Sequence, residues 1–282
     1  MDKVKKEIHY WCRDTSENKY IGQGVTAAVL DTGLAPHPDF EGRIAAFKDC
    51  VEGKPFLYDD SGHGTHVSGI LAGDGKLSGG VLAGMAPGAR IVGVKVLDQK
   101  GDGNMGQILH GLSWVKQNCG KLGIQIVNIS VGARAGIEAE KEEKLIEAVE
   151  ELWDMGLVVI VSAGNYGPEE GSVTIPGTSR KVITVGALQK GKEMECSGKG
   201  PTRACVVKPD ICAPGSQIIS CSNVPYAKRP YAVKSGTSMA APVVSGAAAL
   251  LLSKYPEMSN VEIKLRLREC CREEMNVARL LG

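Results

Sequence analysis

The sequence predicts an α/β domain: a single unit with a mainly parallel central sheet and helices on both faces. Short apolar runs rich in Val and Ile, at 25–30, 89–97, 124–129, 157–162 and 182–185, read as buried strands. Helical patterns lie between them, so the strands are joined by crossovers and run parallel. No internal repeat, low-complexity tract or Pro- or Ser-rich linker divides the chain, which argues for one domain. The helical patterns are 63–72, 107–119 and 139–155, the last with Glu and Lys on one face and Leu145, Ile146, Val149 and Leu152 on the other. Residues 238–254 are almost wholly apolar and small, which predicts a helix through the core. Ser259 and Glu262 form a capping-box signature that opens the final helix.

Bulk composition bounds the partners. At 282 residues and 43% hydrophobic, the chain can bury a large core. A net charge of +1 gives no electrostatic reason to expect nucleic acid or an anionic membrane as partner. Lys3, Lys5 and Lys6 read as a solvated tail. No run reaches the roughly 20 apolar residues of a spanning helix, and the start has no secretory pattern. Nine cysteines, an odd number without metal-ligand spacing, favour reduced thiols and a cytoplasmic protein. A mature secreted chain whose leader has been removed reads the same way. The adjacent Cys270 and Cys271 are expected to be solvated or packed thiols.

Four residue types stand where chemistry is expected. Asp31 follows an apolar run and precedes Thr32-Gly33, the carboxyl end of a strand where α/β folds place their sites; a turn Asp reads equally well there. His63 lies between Gly62 and Gly64, which spare room for an approaching backbone, and Ser61 is positioned to cap the following helix. His66 reads as structural, since the His pair has no third metal ligand. Ser238 opens the apolar helix, beside free backbone N–H groups and the positive dipole end. Asn165, just past a strand, offers a neutral donor suited to an oxyanion, and also suits a left-handed turn.

Taken together these segments resemble the subtilisin-like serine proteases. The resemblance rests on Ala28-Val29-Leu30-Asp31-Thr32-Gly33, Gly62-His63-Gly64-Thr65-His66-Val67 and Gly236-Thr237-Ser238-Met239-Ala240-Ala241-Pro242, in that order, and runs from about residue 20 to about residue 255. Weaker matches lie at 85–89, 128–132 and 208–215. The resemblance implies a short N-terminal extension over residues 1–20 and a peptidase domain over 21–282. It implies Asp31, His63 and Ser238 as the catalytic triad and Asn165 as an oxyanion donor. It places Ser130, Val131 and Gly132 on one wall of a peptide cleft and Gly101 and Gly103 on the other. Ala163, Gly164 and Thr174 are expected around the pocket for the residue before the cut, and Met105 further along. No charged residue lines that pocket, so a medium or large apolar residue is expected there.

The sequence departs from the family pattern in places. About twenty residues precede the matched region, too few for a folding pro-region. The loop 73–80, where many relatives bind calcium, offers one Asp beside a Lys, a poor cage for six to eight oxygens. No metal is therefore expected there, and the chemistry requires no cofactor. Val67 disfavours the thiol-dependent branch, and Val243 stands where relatives often carry His. Two rivals are an aspartic protease, built on Asp31-Thr32-Gly33 and Asp60-Ser61-Gly62, and a catalytically inactive binding or regulatory protein on the same scaffold.

Overall fold

The computed structural model describes residues 1–132, 139–190, 192–224, 229–270 and 275–282. Along the chain come α1 (Asp2–Glu7), α2 (Arg13–Ser16), β1 (Thr26–Asp31), β2 (Ile44–Asp49), α3 (His63–Ala72), β3 (Arg90–Lys95), α4 (Met105–Leu122), β4 (Ile124–Ile129) and α5 (Ala139–Asp154). Then follow β5 (Val158–Ser162), β6 (Ile183–Gln189), β7 (Lys192–Glu193), β8 (Ile211–Pro214), β9 (Ile218–Cys221), β10 (Tyr231–Lys234), α6 (Thr237–Lys254), α7 (Asn260–Cys270) and α8 (Val277–Leu281).

Seven strands form a parallel run in the order β2-β3-β1-β4-β5-β6-β8, and β7 adds two antiparallel residues beside β6. Strands β1 and β5 are buried at every position, as a sheet covered on both faces requires. Helices α3 and α6 pack on each other on one face, while α4 and α5 pack together on the other. The expected strands and helices are therefore present, most within a residue or two of their predicted ends.

Helix α6 is apolar and long enough to cross a membrane by composition, but 83% of it is buried inside the domain. Ser259 and Glu262 do form the capping box, with Ser259 N–H donating to Glu262 Oε2 at 2.8 Å and Glu262 N–H to Ser259 Oγ at 3.3 Å. They open α7, which is not the last helix, because α8 follows. Cys271 lies outside the described residues.

Lys3 and Lys6 are exposed as expected, but Lys5 is not, and the segment that carries them is packed rather than a loose tail. Met1, Val4, Ile8 and Tyr10 join the main core, and Tyr10 Oη donates to Met85 O at 3.0 Å. Lys5 is only 3% exposed, its Nζ 4.2 Å from the Tyr10 ring and 5.1 Å from the Trp11 ring. Burial pushes its pKa down to about 8. An apolar i, i+4 stripe formed by Val4 and Ile8 draws Lys5 in with its neighbours.

Candidate active site

The carboxyl edge of the sheet gathers the predicted residues. Asp31 ends β1, Ser130 follows β4, and Asn165 lies three residues beyond the end of β5. His63 is the first residue of α3 and Ser238 the second of α6. Ser61 does not cap α3; the carboxylate of Asp59 does. Its Oδ1 accepts from Gly62 N–H at 2.8 Å and its Oδ2 from Thr65 N–H at 2.8 Å and Thr65 Oγ1 at 2.6 Å. Thr32 Oγ1 donates to Asp59 at 2.8 Å and accepts from Gly64 N–H at 2.9 Å, which ties the residue after Asp31 to the helix carrying His63. Gly64 makes room for the protein itself rather than for substrate. A Cβ there would stand 2.3 Å from Gly33 O and 3.1 Å from Asp31 Cβ, so only glycine lets α3 close onto β1.

His63 Nδ1 and Asp31 Oδ1 are 2.7 Å apart, and Thr32 N–H donates to the same oxygen at 2.7 Å. Asp31 is wholly buried, and its Oδ2 has no partner among the described residues. The charge of the carboxylate is therefore answered chiefly by the imidazole. Burial works against the imidazolium, but the charge and hydrogen bond of Asp31 outweigh it and hold the His63 pKa above the ordinary imidazole value. His66, in contrast, is structural as expected. Its Nε2 lies 3.1 Å from both Ile218 O and Ala232 O, and burial pushes its pKa down to about 3.

Ser238 Oγ donates to Ser130 O at 3.1 Å and makes no hydrogen bond to His63. Pro242, four residues on, has no N–H to offer the Ser238 carbonyl, and Ser130 Oγ takes that acceptor at 3.3 Å. Ser130 is fixed by Asn128 Nδ2 at 2.9 Å, and Asn128 Oδ1 accepts from Ser245 Oγ at 2.8 Å. A buried polar chain thus runs from the middle of α6 to its N-terminal end, where Ser238 lies. Asn165 Oδ1 accepts from Thr237 N–H at 3.0 Å and Thr237 Oγ1 at 3.2 Å. That assigns the amide so that Nδ2 remains the free donor. Gly236, at φ 137°, permits this approach, for a Cβ would lie 3.2 Å from Asn165 Nδ2.

A cleft of about 580 Å³ joins these groups. Ser130, Val131 and Gly132 line one side, Gly101 and Gly103 the other, with Gly164, Asn165 and Thr174 at the end near Ser238. Two expected residues do not line it. Ala163 is wholly buried, its backbone bonded to Val185 O and Thr174 N–H behind the cleft. Met105 begins α4 and packs against the core. Thr174 closes the pocket, since a Cβ on Gly132 or Gly164 would fall 2.3 and 2.4 Å from its side chain. Sequence reasoning missed Leu97, Lys100, Tyr166 and Lys234, which also line the cleft. Of these, Lys234 carried a signal: a cation four residues before the candidate nucleophile.

The loop 73–80 does not fit calcium. Arg43 Nη1 donates to Ala72 O at 2.5 Å and Ala89 O at 3.0 Å, Nη2 donates to Asp39 O, and Asp74 lies 3.5 Å away. A guanidinium already uses the oxygens that converge there. His37, Asp39 and Cys221 lie close enough together to ligate a metal, but their contacts form a closed network. His37 Nδ1 accepts from Asp39 N–H, and Asp39 accepts from Leu77 N–H, Tyr231 Oη and Cys221 Sγ. The aspartic-protease reading fails as well: Asp60 pairs with Lys95 at 2.8 Å and not with Asp31.

Comparison with known proteins agrees with this geometry. The profile of the Subtilase family (Peptidase S8) matches residues 22–280. Serine protease AprX of Bacillus subtilis (strain 168) is 43% identical over 269 residues, covering 88% of this chain and 61% of that protein. Subtilisin Savinase of Lederbergia lenta is 38% identical over 248 residues, covering 88% of this chain and 83% of Savinase. A cold adapted subtilisin-like serine proteinase superposes with a TM-score of 0.76 at 31% identity, over 92% of this chain and 86% of its own. The chain spans less than two thirds of the length of AprX. The profile match spans residues 22–280 and the shared architecture covers 92% of this chain; the chain belongs to the subtilase family.

Proposed function

We propose that the chain is a serine endopeptidase, hydrolysing peptide bonds through an acyl-enzyme. The observation that carries this reading is the 2.7 Å contact between buried Asp31 and His63, set in one cleft with a serine at the start of a buried helix. On this reading Ser238 Oγ turns about χ1 from Ser130 O to His63, which takes its proton as Oγ attacks the scissile carbonyl. The carbonyl oxygen gains charge and accepts from Asn165 Nδ2 and the Ser238 N–H, which has no acceptor among the described residues. His63 then protonates the leaving amine, and water repeats the sequence to release the acid. No cofactor enters this chemistry.

Substrate binds as an extended strand between the walls at 101–103 and 130–132. The residue before the cut is apolar and of moderate size, because the end of the cleft that receives it is formed by the uncharged Gly132 and Gly164 and closed by Thr174. Arg43 does the work of a structural cation in the loop 73–80, so chelators leave the fold intact. The described cysteines are free thiols, which supports a reducing, cytoplasmic setting.

A fluorophosphonate probe tests the reading, with the adduct located by peptide mass spectrometry and Ser238→Ala as control. The expected result is single labelling at Ser238, absent from the variant, together with cleavage of a denatured protein substrate. A folded protein that neither labels nor cleaves is an inactive binding scaffold instead.

A further inference from the structure

We infer that Lys234 selects substrates carrying an Asp or Glu immediately after the scissile bond. This rests on the endopeptidase reading and adds a specificity to the leaving-group side of the same site.

The geometry assigns the side. The residue before the cut occupies the pocket formed with Gly132, Gly164 and Thr174, and the carbonyl oxygen faces Asn165. The departing amine must face His63, because His63 supplies its proton. Lys234 ends β10, the strand that pairs with β9 away from the walls at 101–103 and 130–132. That hairpin packs beneath the start of α3, where Asn223 Nδ2 donates to Asp59 O at 2.8 Å and would meet any side chain on Gly62. Lys234 therefore borders the cleft on the His63 side, and its charge is felt at the imidazole, where it disfavours the protonated form.

Its ammonium also has no counter-ion among the described residues. Lys95, the other lysine close to Thr32, is spent: it donates to Thr32 O, Leu97 O and Asp60 Oδ1 within 2.6–2.8 Å and is wholly buried, while Lys100 lies beside Gly101 on a side wall of the cleft. Among the described residues Lys234 has no ion pair. A cation half-buried in a cleft and left unpaired is answered by the ligand, and the ligand here is a peptide. A side-chain carboxylate just past the cut meets it, whereas a lysine or arginine there faces a like charge.

The test uses fluorogenic peptides with one acyl-side sequence and Glu, Asp, Ala or Lys after the bond, the cut verified by mass spectrometry. The wild-type enzyme should favour Glu over Lys in kcat/KM by about three- to tenfold at low salt, the scale of a partly exposed charge pair. The ratio should fall toward one in 1 M salt. Lys234→Met should flatten the ranking and Lys234→Glu should invert it, with fluorophosphonate labelling at Ser238 confirming that each variant is folded. Equal rates for Glu and Lys in the wild type, or a preference that survives 1 M salt and Lys234→Glu alike, overturns the inference while leaving the protease reading intact. Failure to cleave even the Ala peptide overturns both.

Discussion

Asn165 and His63 make the sharpest predictions at the scale of single residues. Asn165 is oriented by Thr237 before any substrate arrives, so Asn165→Ala should cost about 10²–10³ in kcat with little change in KM, a magnitude known from a subtilisin rather than obtained from this geometry. Steady-state hydrolysis of one peptide checks it, and an unchanged kcat would remove Asn165 from the reaction. The raised pKa of His63 works in two directions. The folded protein holds that proton more tightly than the unfolded chain. The stabilisation is therefore complete below the ordinary imidazole value and fades as pH climbs through the raised one. Activity appears over the same window, since only neutral His63 accepts a proton. The acid limb of kcat/KM should lie above the ordinary imidazole value, and Asp31→Asn should move it down while cutting kcat by about 10⁴, the loss seen in a serine protease of unrelated fold. Thr174 sets pocket depth, and its hydroxyl has no partner among the described residues. Thr174→Gly should raise selectivity for Phe over Ala before the cut roughly tenfold, within the range that a few methylenes are worth in a pocket. A peptide library profile reads this directly.

Helix ends and loops decide how the elements meet. Arg43 joins the end of α3, the start of β3 and the turn at Asp39 through three carbonyls. Removing it leaves buried acceptors unpaired, and charge-assisted bonds of this kind are worth about 1.5–3 kcal/mol each. Arg43→Met should lower Tm by roughly 5–10 °C, while a chelator leaves the wild-type Tm unchanged in a calorimetric scan. A chelator-induced fall of similar size would mean that an ion holds this loop. The boundaries of α3 were legible from sequence, but the group that caps it was not. Ser61 has the right chemistry at the right spacing, yet Asp59 wins because its carboxylate meets donors from β1 and α3 together. The β9–β10 hairpin also escaped sequence reading. Its strands are four residues long, and Ile219 and Val233 face solvent, so no hydrophobic alternation marks them.

Across the whole molecule the proposed catalytic groups come from segments far apart in sequence, held by one core that includes the N-terminal helix. Tyr10 is among the largest fully buried side chains and bonds to Met85 O. Tyr10→Ala should cost about 3–5 kcal/mol, as other buried aromatic truncations do, and lower Tm by roughly 10 °C. Fluorophosphonate labelling at low temperature should persist, because the sheet edge that carries the triad lies outside that contact. Labelling lost together with the Tm would instead show that the N-terminal helix props the site itself.

The sequence by itself determined five central strands of the sheet, the alternation of helices and the four candidate residues of the proposed reaction, but not the outer strands β2 and β8. Strand runs, a small-residue core helix and short glycine-flanked motifs are all local patterns, and each is set by burial or backbone geometry over a few residues. Tertiary structure decided what local pattern does not encode. It decided that Ser130 holds both the hydroxyl and the carbonyl of Ser238, that Arg43 ties together the carbonyls flanking the loop 73–80, that Lys5 is buried and that Lys234 reaches the cleft. Each depends on which distant group arrives beside a polar atom, and that is fixed only when the chain closes around it.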